Sequence, residues 1–273
     1  MPELPEVETT LRGLKPHIKG QKIVDVDIRN PRLRWRIADD FATHLTSSTV
    51  ESLERRAKFI IIYLGQGYWV IHLGMSGSLS FHDSSAAYLK HDHVIIHFQQ
   101  GYQLRYNDPR RFGSMVFVKD LSTLPSWQKL GPEPLSDEFD PMYLIKRCKK
   151  TSKPIKSMIM DQHVVVGVGN IYATEALFLS NIHPARSANT ITHQECIQLV
   201  KNIQQCLHQA INMGGTTLKD FVNPDSRSGY FQQTLQVYGR EGKSCYVCGS
   251  MIHSVRLNQR SSPFCENCQP IND

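Results

Sequence analysis

The sequence predicts an α+β protein: an N-terminal antiparallel β-sandwich with flanking helices, then a helical segment, then a C-terminal metal-binding β-hairpin. Three observations predict it. Short apolar–polar alternations fill residues 20–120, helical spacing replaces them beyond a Gly-Pro-Glu-Pro break at Gly131, and two Cys-x-x-Cys pairs stand near the end of the chain. At 273 residues the chain exceeds the usual span of one core, so two or three domains are expected. Hydrophobic residues at 40% and charged residues at 21% are ordinary for a folded chain and argue against long disordered stretches.

The strands come first. Lys22 to Ile28 alternates apolar and polar residues; Phe59 to Leu64 and Tyr68 to Leu73 are β-branched and aromatic runs joined by Gly65-Gln66-Gly67, which reads as a hairpin. Val94 to Phe98 and Tyr102 to Tyr106 repeat the arrangement around Gln99-Gln100-Gly101, and Ser114 to Val118 offers another strand. Many short antiparallel strands bury their apolar faces best as two packed layers.

Gly131-Pro132-Glu133-Pro134 can continue neither a helix nor a central strand, so a domain boundary is placed there. Thr192-His193-Gln194-Glu195 is a capping box opening a stripe of Cys196, Leu199, Val200, Ile203, Leu207 and Ile211 that ends at Gly214-Gly215. Shorter helices are expected near Pro141 to Cys148, Pro154 to Met160 and Asn170 to Ser180. The predicted segments are 1–131, 132–234 and 235–273.

The formal net charge of +6 favours a polyanionic partner. Glu3, Glu6 and Glu8 replace the basic and apolar regions of a secretion signal, and the longest apolar run, Phe59 to Leu64, is too short to span a bilayer. A cytoplasmic protein without membrane association is expected.

Four of the seven cysteines form Cys245-x-x-Cys248 and Cys265-x-x-Cys268, with sixteen residues between the pairs. This spacing fits tetrahedral zinc, and four thiolates leave no position open for water, so one structural Zn2+ is expected. Two redox pairs would instead expect a βαβ context. Cys148, Cys196 and Cys206 read as small buried apolar residues. Lys243, Arg256 and Arg260 lie in this finger, with Arg240 just before it, and read either as phosphate-facing cations or as solvated surface charges.

Two turns carry further chemistry. Val164-Val-Val-Gly167-Val-Gly169-Asn170 leads into a helix expected to be capped by Asn170, and it serves either as an anion-binding helix start or as a packing turn. Asp108-Pro109-Arg110-Arg111-Phe112-Gly113 suits nucleic acid through its two arginines and aromatic ring; it also reads as a plain surface turn with Phe112 folded into the core.

The chain start asks for a chemical explanation. If Met1 is removed, Pro2 presents a secondary amine with a pKa of about 8, so roughly a tenth is unprotonated at pH 7, against about one in several thousand for lysine. Such an amine can attack C1′ of a deoxynucleoside, expel the base and form an iminium that permits elimination of the 3′ phosphate. Glu3 is the adjacent proton shuttle. Pro5 at the first helical position, with Glu6 and Glu8, also begins a helix favourably over Pro5 to Leu14.

Together these residues resemble the bacterial formamidopyrimidine-DNA glycosylases, also called 8-oxoguanine DNA glycosylases, over essentially the whole chain. MPELPEVET, RRAKF, HLGMSGSL, KHDHV, NDPRRFG, LGPEPLSD, VVVGVGNIYATEALF, GGTTLKDF, GYFQQTLQVYGREG and the four-cysteine finger occur in that order. The resemblance implies Pro2 as Schiff-base nucleophile, Glu3 as proton donor, Lys58 as an acid in β-elimination, and Arg260 as an acid and phosphate ligand in δ-elimination. It implies that Met75, Arg110 and Phe112 fill the gap left by a flipped nucleotide. His72, His91 and Asn170 would contact DNA, and the Gly-Val-Gly-Asn turn would belong to a helix-two-turn-helix element.

The implied partner is damaged double-stranded DNA in the nucleoid. A DNA cleft formed within one chain points to a monomer. Two departures from the family stand out. Asn223 to Phe231 replaces the usual Gly-Lys-Pro-Gly-Tyr-Phe, and Thr151 stands near the position of a DNA-contacting lysine, leaving Lys150 or Lys153 to substitute. Leu4 argues against the endonuclease VIII type, which acts on oxidised pyrimidines and begins Pro-Glu-Gly-Pro-Glu. A non-catalytic zinc-finger DNA-binding protein is the alternative from another class.

Overall fold

The computed structural model describes residues 2–125, 127–215 and 234–271. These divide into two compact units: Met1–Gln128 joined by the chain from Met213, and Lys129–Asn212 joined by the described chain from Thr234 onward. The departure at Asn223 to Phe231 lies outside the described residues.

The first unit opens with α1 (Leu4–Ile18), β1 (Ile23–Ile28) and α2 (Phe41–Leu45). Seven strands follow: β2 (Ser52–Arg56), β3 (Phe59–Tyr63), β4 (Tyr68–His72), β5 (Ser78–Asp83), β6 (Asp92–Phe98), β7 (Tyr102–Asn107) and β8 (Ser114–Val118). They form two four-stranded sheets, ordered β1-β6-β7-β5 and β2-β3-β4-β8, with every pairing antiparallel. One apolar cluster joins both sheets and α1: Leu14 and Ile18 meet Ile60, Ile62, Trp69 and Ile71 of one layer and Val94, Ile96, Phe98 and Leu104 of the other. Removal of this apolar surface from water holds the layers together.

Both expected hairpins are present, with Ile60 opposite Ile71 and Ile96 opposite Leu104. Two strands lack a clear sequence pattern, β2 and β5, and each is one of the two edges of its sheet. An edge strand has one hydrogen-bonded neighbour and tolerates polar residues such as Glu54, Arg55 and His82, which blur the alternation.

Helix α1 departs from expectation at both ends. It begins at Leu4 with Glu3 as N-cap, so Pro5 occupies the second helical position, and it continues to Ile18 with Pro16 inside. The buried side chains Leu4, Val7, Leu11, Leu14 and Ile18 supply the packing that extends it.

In the second unit α3 (Pro141–Cys148), α4 (Ile155–Ile159), α5 (Asn170–Leu179) and α6 (His193–Asn212) precede the hairpin β9 (Ile252–Leu257) and β10 (Arg260–Cys265). The capping box of α6 is present: Glu195 N donates to Thr192 Oγ1 at 3.2 Å, and Thr192 N to Glu195 Oε2 at 2.8 Å. Helix α5 is buried from Ile171 to Phe178 and forms the centre of this unit. Its N-cap is Gly169, not Asn170. The Asn170 side chain is engaged elsewhere; its Nδ2 donates to the Ser261 carbonyl at 3.3 Å. Cys148, Cys196 and Cys206 are all buried.

Candidate active site and metal centre

In the first unit the chain start is enclosed. Pro2 is buried and Glu3 is 2% exposed. A capping box holds Glu3, in which Glu6 Oε2 accepts the Glu3 N–H at 2.8 Å. Gly215 passes close by, since a Cβ there would lie 3.2 Å from Glu6 Oε1. Arg55 of β2 donates to Glu8 at 3.0 Å, which ties α1 to the strand leading to Lys58. Lys58 is half-buried in the tight turn between β2 and β3, where Ala57 takes a φ of 55°.

The register of β3 and β4 pairs Phe59 with His72, bringing His72 close to Lys58. Burial, then the charges of Lys58 and Arg34, lower the His72 pKa from 6.5 to about 4. The ring is therefore neutral at pH 7, and its Nδ1 accepts the Gly74 N–H at 3.1 Å. With Nδ1 accepting, Nε2 carries the ring proton, so the uncharged imidazole presents a hydrogen-bond donor and adds no positive charge beside Lys58.

Met75 and the Arg110–Phe112 turn come together through their backbones. Gly74 has a φ of +67°, and a Cβ on it would sit 2.3 Å from the Phe112 carbonyl carbon, so only glycine permits this approach. Phe112 is 44% exposed, not folded into the core, and the Arg110 guanidinium lies 4.9 Å from its ring centre. Beneath the turn the buried Asp108 carboxylate accepts bonds from Ser76 Oγ at 2.6 Å, Gly113 N at 2.9 Å and Tyr106 OH at 3.1 Å. Asp108 also links to His91, because its N–H donates to the His91 carbonyl at 3.1 Å.

The loop ending at His91 is held by Arg105, which is fully buried, donates to the carbonyls of Ala86 and Ala87, and pairs with Asp92 at 3.4 Å. Sequence patterning does not single out Asp108 or Arg105. The only signal for Asp108 is its place before Pro109 in a turn, and Arg105 stands as the one charge in a strand of mixed polar and apolar residues.

In the second unit Asn170, Lys153 and Arg260 gather around the hairpin, while Lys150 is exposed at the end of α3. Lys153 and Arg260 line a cavity of about 360 Å3 together with Lys156, Ser157, Asp161 and Asn258. Lys156 is only 1% exposed, and its Nζ donates to Ser262 Oγ at 2.7 Å and to the Ser261 carbonyl at 3.1 Å, immediately beside Arg260. Glu175 of α5 accepts the N–H groups of Gln236, Val237 and Tyr238 at 2.8–3.0 Å. Burial raises its pKa against these bonds.

The four cysteine sulfurs lie within 4.8 Å of one another, 3.4 Å apart for Cys248 and Cys265 and 3.9 Å for Cys245 and Cys268. Thiolates at about 2.3 Å from a tetrahedral zinc are separated by roughly 3.8 Å, so the cluster fits one structural Zn2+. Phe178 of α5 packs with Val237, Ile252, Cys245 and Cys265 of the finger in one apolar cluster within the same unit.

Comparison with known proteins gives this arrangement a family. Residues 1–115 match the formamidopyrimidine-DNA glycosylase N-terminal domain, 130–222 the H2TH domain of the same enzymes, and 242–271 the zinc finger found in FPG and IleRS. The formamidopyrimidine-DNA glycosylase of Pasteurella multocida is 49% identical, with 98% of this chain and 99% of that protein covered. That of Haemophilus ducreyi is 48% identical, with 99% of each covered. Among solved structures, the Thermus thermophilus FPG protein superposes with a TM-score of 0.90 at 35% identity over the full length of both chains. A Lactococcus lactis FPG mutant in complex with Fapy-dG-containing DNA gives 0.92 at 34% identity, covering 98% of this chain and 100% of that one. From its buried Pro-Glu start to its four-cysteine finger, the chain belongs to the formamidopyrimidine-DNA glycosylase family.

Proposed function

We propose that this protein excises oxidised purines from duplex DNA and then cleaves the abasic strand, with Pro2 as the nucleophile. The observation that carries the reading is the enclosed chain start: a buried proline, which becomes a secondary amine once Met1 is removed, followed by a buried carboxylate on a residue that Glu6 holds in a capping box. Relatives add support, since Lactococcus lactis FPG has been solved with Fapy-dG-containing DNA and with DNA containing an abasic site.

In the proposed reaction, the Pro2 nitrogen forms a bond to C1′ as the C1′–base bond breaks. Glu3 delivers a proton to the ring oxygen, and the sugar opens to an iminium. Loss of a C2′ proton expels the 3′ phosphate, with Lys58 as the acid. A second elimination expels the 5′ phosphate, with Arg260 as acid and phosphate ligand. Met75, Arg110 and Phe112 fill the space left by the extruded nucleotide, while His72, His91, Asn170, Lys150 and Lys153 contact the DNA backbone. Zn2+ holds the finger's shape and takes no part in bond making.

The functional segments on this reading are 1–131, 132–234 and 235–273, in a protein that works as a monomer in the cytoplasm. No helix among the described residues is long and apolar enough to cross a membrane. Borohydride trapping on a duplex with 8-oxoguanine opposite cytosine tests the assignment. A covalent adduct that disappears in Pro2→Gly is expected; unaltered excision by that variant contradicts it, and binding without any adduct supports a DNA-binding module instead.

A further inference from the structure

We propose that Arg32 and Arg34 form a second phosphate-binding element, gripping the DNA backbone beside the Arg110–Phe112 turn. The inference rests on the reading above, in which that turn faces the duplex.

The loop from Pro31 to Ile37 is rigid for its length. Leu33 N and Ile37 N both donate to the Pro31 carbonyl, at 3.0 and 2.9 Å, Arg32 N donates to Asn30 Oδ1 at 3.0 Å, and Arg32 bridges to Arg36. Leu33 and Ile37 are buried in the sandwich core, so the residues between them point outward. Those residues are Arg34, Trp35 and Arg36, with Arg32 just ahead, and all four are exposed. Trp35 is 40% exposed.

Placement supports the same assignment. Arg34 N donates to the Gly113 carbonyl at 3.0 Å, which fastens the loop to the residue that follows the Arg110–Phe112 turn. The charge of Arg34 reaches His72 as well, where it contributes to lowering the imidazole pKa. Arg36 is partnered by Asp39 at 3.0 Å, whereas among the described residues no carboxylate pairs with Arg32 or Arg34. Two exposed guanidiniums near Arg110 and Arg111, without acid partners, repel one another in the free protein. A phosphodiester backbone relieves that repulsion, and the planar guanidinium fork matches phosphate oxygens. Nothing in this grip reads a base, so it strengthens binding to damaged and undamaged duplex alike.

The test is a salt titration of duplex binding by fluorescence anisotropy, using DNA with a tetrahydrofuran abasic analogue and the same duplex undamaged. Arg32→Gln with Arg34→Gln is expected to flatten the slope of log K against log salt by about 0.9 for each phosphate that is no longer neutralised, on both duplexes. Arg36→Gln should leave the slope unchanged, and Arg34→Lys, which keeps the charge, should retain most of it. A double variant with the slope of the parent overturns this proposal while leaving the Pro2 chemistry intact. A parent protein that binds neither duplex overturns both.

Discussion

Glu6 Oε2 accepts the backbone N–H of Glu3 at 2.8 Å, so the third residue of helix α1 fixes the residue that immediately precedes the helix. Glu6→Ala is expected to cost about 1 kcal/mol of stability in urea denaturation, the usual loss for a helix cap. It should also slow borohydride trapping under conditions where the variant is fully folded. Glu6→Gln retains an acceptor oxygen and should recover most of the trapping rate. Parent-rate trapping by Glu6→Ala would separate the cap from the chemistry.

Gly74→Ala tests the close approach of the Met75 and Phe112 turns. The new methyl group meets the Phe112 backbone at 2.3 Å on a residue with positive φ, so one turn must move. A loss of about 2 kcal/mol or more is expected from overpacking and left-handed strain together. Binding to abasic DNA should weaken beyond that of a surface control, as measured by anisotropy at a temperature where both proteins are folded.

Asp108→Ala should be more damaging. It removes the shared acceptor of Ser76, Tyr106 and Gly113 and leaves their donors buried. A loss of about 3 kcal/mol or more is expected in chemical denaturation. Asp108→Asn keeps one acceptor oxygen and should lose less; equal losses for the two variants would count against the shared-acceptor account.

His72 makes stability depend on pH. Its folded pKa of about 4 lies below the unfolded value of 6.5, so between these values the unfolded chain binds more protons and stability falls as pH drops. Protonation would also place a proton on Nδ1, where the Gly74 N–H now points. Urea midpoints measured from pH 7 to pH 4 should fall more steeply for the parent than for His72→Gln. Parallel curves would assign the slope to other groups.

Cys268→Ser is expected to lose zinc and weaken DNA binding. Metal analysis and anisotropy on the same preparation check both effects. Full DNA affinity in zinc-free protein would be incompatible with a structural finger.

Where one face of an element carries a strong pattern, the sequence reveals it. The stripe from Cys196 to Ile211 forms α6 with its capping box, and the apolar runs around Gly65-Gln66-Gly67 form β3 and β4. Of the four edge strands of the sandwich, β1 and β8 keep a readable apolar pattern, whereas β2 and β5 carry polar residues such as Glu54, Arg55 and His82 that one neighbour tolerates, and these two are illegible. Phe112 can be read as buried or exposed, since its fate depends on Asp108, Ser76 and Gly74 holding the turn outward. Asn170 looks like a cap because its partner, Ser261, lies 91 residues away in the chain. The spacing of the cysteines needs no such distant information: four soft ligands in two tight pairs define their own geometry.

Lys156 has a consequence for anyone treating the finger as a portable cassette. Its buried ammonium sits against the second strand of the hairpin, while Phe178 seals the cluster from the helical side. Excised, the ribbon would expose that apolar seam to solvent and strand a lysine without its oxygen acceptors in what remains. Grafting the finger onto another scaffold therefore requires carrying α4 and α5 along with it.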